Sequence, residues 1–151
     1  MAPRKLPADA LLSEILQKVS SAKTKVEKVD LLREYNSPGL RATLIINFDE
    51  SLQFLLPAGD VPYTPNEAPA GTEHTRLDHE YRNFYRFFKG GDASINSMKR
   101  EQLFIQLLEG LHKDEAEVFV LACNRKLQDK YRVTQNVVAE AFPQIEWGNR
   151  G

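Results

Sequence analysis

The stretch LFIQLLEGLHKDEAEVFVLACNRKL, from Leu103 to Leu127, decides the fold class. Apolar residues recur in it every three or four positions, the spacing that places side chains on one face of a helix. They form two runs, which are Leu103, Phe104, Leu107, Leu108 and Leu111, and then Ala116, Phe119, Val120 and Cys123. The letters GLHKD separate the runs, and Asp114 is a suitable N-cap for the second. The pattern predicts two consecutive helices, the first of which begins at Asn96 or Ser97.

The N-terminal half contains the starts of three further helices. Asp9 is a candidate N-cap for the first, and Thr24 with Glu27 forms a capping-box pair ahead of the second. Ser37 and Pro38 offer a cap and a first helical residue for the third. Apolar residues follow these starts at helical spacing: Leu11, Leu12, Ile15, Leu16 and Val19, then Val26, Val29, Leu31, Leu32 and Tyr35, then Leu40, Leu44, Ile45 and Phe48. We therefore expect three amphipathic helices here.

The stretch LDHEYRNFYRFFKGGD, from Leu77 to Asp92, combines aromatic and cationic side chains. It predicts one helix over Thr75 to Phe88, with Gly90 or Gly91 as a left-handed C-terminal cap. One face carries Leu77, Tyr81, Phe84 and Phe88, and a separate stripe carries Arg82, Arg86 and Lys89. Because the aromatic and cationic residues segregate, the main aromatic face is predicted to be core, with Tyr85 and Phe87 partly exposed. The cationic stripe is either a solvated face or a phosphate-binding one.

Residues 57–73 form a loop rich in proline and glycine, which excludes a helix and limits strand pairing to an edge. A loop of this length is either a tether or a functional segment. The last helix is predicted from Thr134 to Phe142, ahead of Pro143. Regular β alternation is absent. The predicted architecture is an all-α single domain of about seven helices over residues 1–151.

The net charge of −1 shows no basic excess, so any affinity for DNA must come from local patches. The lone cysteine, Cys123, excludes an internal disulfide and a cysteine-based zinc site, and its apolar surroundings predict a buried, inert thiol. The sequence shows no signal peptide and no membrane span, so a cytoplasmic location is expected.

A second cationic cluster lies late in the chain, where Arg125, Lys126, Lys130 and Arg132 surround the single acid Asp129. Thr134 follows as the cap of the last predicted helix. A helix N-terminus presents free backbone N–H groups and partial positive charge, both of which suit a phosphate. The segment is either a phosphate-binding turn or a hydrophilic connection between packed helices.

The order of these segments resembles the helical N-terminal DNA-binding domain of phage ATP-dependent DNA ligases. The early helices LLSEILQKVSSAKTKVEKVDLLREYN, the segment SLQFLLPAG, the late pair LFIQLLEGLHKDEAEVFVLACNRKL and the terminal helix RVTQNVVAEAFPQI carry the resemblance. It spans nearly the whole chain and rests on helix order and apolar spacing.

The resemblance implies a domain that holds duplex DNA through backbone contacts from turns and helix starts. The turn SSAKTK would contribute Lys23 and Lys25, and the late turn would contribute Lys126, Lys130, Arg132 and Thr134. The Lys-x-Asp-Gly motif and the OB-fold that ligation requires are absent from the sequence. A non-catalytic, phage-encoded accessory protein of DNA replication or repair is therefore expected, with double-stranded DNA and a phage or host replication protein as partners.

No metal, cofactor or catalytic site is predicted. His74 and Asp78 are four residues apart, but two ligands make a poor metal site, and His79 is directed elsewhere. His112 lies near a helix junction, where it is expected to compensate a helix C-terminus. The pair Gly90–Gly91 lacks a phosphate-loop pattern.

Two other functions remain open on the sequence. The near-neutral charge and the proline-rich loop favour a protein-interaction module that has lost DNA binding, and a self-associating virion or assembly component is the third candidate. The DNA-binding hypothesis also requires a particular arrangement of the cations in the fold. Lys23 and Lys25 must lie on the same concave side of the molecule as Lys130 and Arg132.

Overall fold

The computed structural model describes residues 10–56, 63–66 and 75–148, which form an all-α fold. The helices of these residues are α1 (Leu12–Ser21), α2 (Lys25–Glu34), α3 (Pro38–Phe48), α4 (Leu77–Glu80), a 3-10 helix (Tyr81–Phe87), α5 (Ser97–Gly110), α6 (Lys113–Cys123), α7 (Leu127–Lys130) and α8 (Gln135–Ala141). The predicted fold class is confirmed. The described residues contain more helices than predicted, because α7 is an additional short helix and the predicted aromatic helix is divided into α4 and the 3-10 helix.

Four of the predicted helix starts are confirmed by side-chain caps. Thr24, Ser37, Asn96 and Thr134 each accept a hydrogen bond from the backbone N–H three residues later, at 2.7–3.4 Å. Pro38 occupies the first turn of α3, where a missing N–H has no cost. Local capping chemistry therefore sets these boundaries. The predicted cap Asp9 and most of the 57–73 loop lie outside the described residues.

The start of α6 differs from the prediction. His112, rather than Asp114, is the N-cap, and its Nδ1 accepts a hydrogen bond from the Asp114 backbone N–H at 3.0 Å. The expectation that His112 compensates a helix C-terminus is therefore wrong. Leu111, directly after α5, is extended and is its C-cap. The connection between α5 and α6 is therefore very short, and the next residue, His112, is already the N-cap of α6.

The single helix predicted over Thr75 to Phe88 is wrong in its second half. Tyr81–Phe87 is a 3-10 helix, in which residues three apart lie on the same side, so Phe84 and Phe87 both face inward. Phe88 then leaves the helix and forms an isolated antiparallel bridge with Phe54. Phe87 is therefore buried and not partly exposed, whereas Tyr85 is 46% exposed, as predicted. The left-handed residue after the helix is Gly90.

Aromatic rings fill the centre of the molecule. Phe119 of α6 lies 4.6 Å from Phe84 and 5.7 Å from Phe104 of α5, measured between ring centroids. Phe87 packs edge-on against Phe104 at 5.2 Å. These tilted and edge-on contacts are the favoured arrangements for aromatic pairs. The 3-10 helix thus packs against α5 and α6. The prediction that Val26 of α2 belongs to the core is wrong, because its side chain is 68% exposed.

Glu115 of α6 is a buried acid that connects three helices. Its Oε2 accepts a hydrogen bond from the Leu12 N–H at 2.8 Å, and its Oε1 accepts one from the Leu77 N–H at 3.0 Å. The side chain thereby satisfies free N–H groups at the starts of α1 and α4. Burial raises the pKa of Glu115, and the two backbone hydrogen bonds partly oppose that rise.

The contact between α3 and α4 requires a glycine. Gly39 donates its backbone N–H to Asp78 Oδ1 at 3.1 Å, and a Cβ at position 39 would lie 2.6 Å from the Asp78 Cα. No side chain fits at that distance, so the two helix starts meet only because residue 39 has none.

Cys123 is buried, and desolvation raises the pKa of its thiol well above the usual range, as expected for an inert cysteine.

Candidate nucleic-acid interface

The early and late cationic turns are brought together by helix packing between α2 and α8. The Arg132 backbone N–H donates to Ser20 Oγ at 2.9 Å, and Lys28 Nζ donates to the Arg132 carbonyl at 2.5 Å. Arg33 of α2 donates to the carbonyls of Glu140 at 2.8 Å and Ala141 at 3.1 Å, at the end of α8. The two turns are therefore neighbours, although more than a hundred residues separate them in the sequence.

A cleft of about 330 Å³ opens where these turns meet, and we call it the lysine cleft. It is lined by Lys23, Thr24, Lys25, Lys28, Thr134, Asn136 and Val137. Three ammonium groups therefore surround one concave site, and each is contributed by the α1–α2 turn or by α2. Ammonium groups at this density suit an oxyanion such as a phosphate.

The two threonines fix the walls of the lysine cleft. Thr24 Oγ1 accepts the Glu27 N–H at 3.2 Å, and Thr134 Oγ1 accepts the Val137 N–H at 3.4 Å. Each hydroxyl is thus held at a helix start and keeps its own O–H as a donor toward the cleft. The predicted site residue Thr134 therefore has a structural role as a cap and also faces the cleft.

Carboxylates balance two of the predicted cations. Lys25 Nζ lies 3.9 Å from Glu140 Oε1, and both side chains are about half exposed. Lys130 forms an ion pair and hydrogen bond with Glu117, which raises the pKa of Lys130. Exposed ion pairs contribute only about 0–1 kcal/mol, so a phosphate can replace these partners at small cost.

The remaining late cations divide into two groups. Lys126 and Arg132 are exposed and do not line the lysine cleft, although the Arg132 backbone is bonded to Ser20 and Lys28 beside it. Arg125 is half-buried, adopts a positive φ of 60°, and donates from its guanidinium to the Leu52 carbonyl at 2.5 Å. That bond ties the segment after α3 to the α6–α7 turn. Arg125 therefore has a structural task that its position in a basic run does not reveal.

The family model for DUF6433, described as a family of unknown function, matches residues 15–129. The chain belongs to the DUF6433 family. No curated protein and no solved structure matches it. The matched span contains the three lysines of the cleft, whereas Thr134 and Asn136 lie beyond its end.

The cations of the 3-10 region of this DUF6433 protein lie in other places. Arg82 lines a cleft at the start of α3, Arg86 lines one against α5, and Lys89 borders an apolar groove. The Arg82 and Arg86 guanidinium groups lie 5.6 and 5.9 Å from the ring centroids of Tyr81 and Tyr85. The structure therefore does not bring this stripe into the lysine cleft.

Lys28 and Asn136 line the lysine cleft although neither was predicted as a site residue from the sequence. Lys28 lies one turn after Lys25 on α2, so helical periodicity was a signal that could have identified it. Asn136 is in the first turn of α8 and became a cleft residue only through the α2–α8 contact, which the sequence does not specify. The sequence indicates where a residue lies along its own helix, but it does not indicate which helix packs against that residue.

The described part of this DUF6433 protein contains no group of three or more histidine, cysteine, aspartate or glutamate side chains that would hold a metal ion. His74 of the histidine and carboxylate pair considered above lies outside that part. Its longest helix, α5, has 14 residues, and none of the described helices combines the length and apolar character needed to cross a bilayer.

Proposed function

We propose that this DUF6433 protein binds double-stranded DNA through its phosphate backbone, as a non-catalytic accessory protein of replication or repair. The lysine cleft is the binding site in this proposal, and Lys126, Lys130 and Arg132 extend it along the duplex. Similarity to the N-terminal domain of phage DNA ligases supports the proposal, as does the helix order described above. A phage origin and a cytoplasmic location belong to the same proposal.

The lysine cleft, which lies where the early turn meets the start of α8, is the observation that carries the proposal. A protein with a net charge of −1 has no general attraction for DNA, so its cations must be concentrated to bind phosphates. Lys23, Lys25 and Lys28 meet that condition at one cleft. Contacts of this kind position a protein on the duplex and carry no base information.

The wild-type protein is expected to bind duplex DNA with an affinity that falls steeply with salt. Two or three phosphate contacts give a slope of log K against log salt of about −2 to −3, because each contact releases about 0.9 counterions. Fluorescence anisotropy on intact and nicked duplexes of two unrelated sequences, at four salt concentrations, measures the slope. Equal binding of both sequences supports phosphate contacts, and no binding at the lowest salt concentration rules the proposal out.

Removing the carboxylate next to the lysine cleft is expected to strengthen binding. Glu140→Gln frees Lys25 and removes a negative charge that repels phosphates, with an expected gain of up to about fivefold at low salt. The matched control is Glu101→Gln, an exposed residue of α5, which changes the total charge equally. Equal gains in the two variants would indicate a general charge effect and not a local one.

A protein-interaction function is the second candidate, and one observation favours it. Ile45, Leu52, Phe84 and Phe88 line an apolar groove of about 290 Å³, beside the exposed ring of Tyr85. An apolar side chain of a partner protein would fit there. Tyr85→Asp would remove binding of such a partner and leave the lysine cleft unchanged, so the two functions are separable in one experiment.

A further inference from the structure

A second cleft lies away from the lysine cleft, between the start of α3, α4 and the 3-10 helix. It has a volume of about 590 Å³, within the range of about 300–1,000 Å³ that is common for small-ligand sites. Ser37, Arg76, Asp78, Tyr81 and Arg82 line it, and none of these residues lines the lysine cleft. The inference drawn from it is therefore independent of the proposed duplex binding.

Three oxygen atoms that line this cleft accept hydrogen bonds from the protein. Asp78 Oδ1 accepts the Gly39 N–H at 3.1 Å, and Ser37 Oγ accepts the Leu40 N–H at 3.2 Å. The Tyr81 hydroxyl accepts Arg82 Nε–H at 3.2 Å. The start of α3 is thereby capped from within the protein, so its N–H groups at Gly39 and Leu40 are not open for a ligand.

The donors of Ser37, Tyr81 and Arg82 remain available in the cleft. The hydroxyl hydrogens of Ser37 and Tyr81 are not used by the bonds that their oxygens accept. Arg82 is exposed and uses only Nε toward Tyr81, so its two terminal nitrogens face no acceptor among the described residues. The Arg82 guanidinium also lies 5.6 Å from the Tyr81 ring centroid, within cation–π distance. The half-buried Arg76 adds a second positive charge.

We infer that this cleft binds a phosphate group. The arginine fork can bind two oxygens of an anion at once, and the two hydroxyls would serve further oxygens. A tetrahedral phosphate presents enough oxygens for all of these donors, whereas a carboxylate has only two. The cleft volume leaves room for an organic group attached to the phosphate. A phosphate monoester has three terminal oxygens for these donors, whereas a phosphodiester, like a carboxylate, has two, so a monoester is the expected ligand.

The test is an NMR titration of the full chain at constant ionic strength with inorganic phosphate, phenyl phosphate, dimethyl phosphate and acetate. Saturable shifts of the backbone amides at residues 37–41 and 76–82 are expected with a phosphate ligand. Arg82→Gln should weaken binding about tenfold, since a charge-assisted bidentate bond is lost. Lys99→Gln, at the exposed start of α5, should leave it unchanged. Arg82→Lys should give an intermediate affinity, because it keeps the charge and loses the fork.

Binding of phenyl phosphate above dimethyl phosphate supports a monoester as the ligand, and equal or stronger binding of dimethyl phosphate would overturn that assignment. Equal shifts with acetate, or an affinity that Arg82→Gln does not change, would overturn the inference. Tyr81→Phe provides a second variant that removes one donor and keeps the ring, with an expected loss of about threefold. If the Arg82→Gln variant does not fold, an unchanged affinity in Tyr81→Phe overturns the inference instead.

Discussion

Replacing Glu115 by alanine is expected to lower the free energy of unfolding by about 2–5 kcal/mol, because each buried N–H that loses its acceptor costs about 1–3 kcal/mol. The substitution leaves the Leu12 and Leu77 N–H groups without their partner and opens a cavity in α6. Urea unfolding followed by circular dichroism measures the change. The control is Glu117→Ala, two residues later on the exposed side of the same helix. A loss no larger than that of the control would contradict the bridging role of Glu115.

The pH dependence of stability provides a second measurement on Glu115. Its pKa is raised above the ordinary 4.5, chiefly by burial, so the folded state binds a proton more tightly than the unfolded state. The stability that Glu115 contributes is then fully present below pH 4.5 and falls as the pH rises through the folded pKa. Glu115→Gln does not titrate. We therefore expect the wild type to lose stability relative to Glu115→Gln as the pH rises, and a constant difference would contradict this sign.

The sequence predicted the helices correctly wherever their boundaries and buried faces depend on residues close together in the chain. Caps at Thr24, Ser37, Asn96 and Thr134 depend on residues three positions apart, and the structure confirms all four. The apolar spacing of α5 and α6 depends on a single helix face. Such features require no knowledge of the partner element, so the all-α class followed from them.

The errors arose where a distant contact decides the local structure. Phe88 leaves the 3-10 helix because it pairs with Phe54, more than thirty residues earlier. Phe87 is buried because Phe104 and Phe119 lie beside it. Helical periodicity at 3.6 residues per turn predicted neither outcome, since the change to three residues per turn is imposed by the core.

Glu115 was missed although a signal for it exists. It lies three and four residues before Val118 and Phe119, which places it on the buried face of α6. A charged residue at such a position has to have buried partners. What the sequence could not supply is their identity, because Leu12 and Leu77 are distant in the chain.

The candidate site shows the same division. The cations of the two turns were identified from composition, whereas their proximity depends on contacts such as the bond from Arg132 to Ser20. Arg125 belongs to the same basic run, yet its guanidinium is bound to the Leu52 carbonyl. Composition therefore indicates which cations exist, and only the fold determines which of them share a surface.

The double variant Lys23→Gln/Lys25→Gln is expected to weaken duplex binding roughly 10- to 100-fold at about 0.1 M salt, since each phosphate contact contributes about 0.9 to the salt exponent. Both side chains are exposed and line the lysine cleft, so the fold should be retained. Lys28 is left in place because its Nζ is bonded to the Arg132 carbonyl. Anisotropy over a salt series measures both the affinity and the slope.

The matched control for this prediction is Lys99→Gln/Lys113→Gln, which changes the net charge equally at exposed helix starts. A local site predicts that the slope falls by about 2 in the cleft variant and is unchanged in the control. Equal losses in both variants would mean that DNA senses only the total charge. Unchanged binding in the cleft variant would place the DNA contacts elsewhere, and the convergence of the two turns would then serve α2–α8 packing alone.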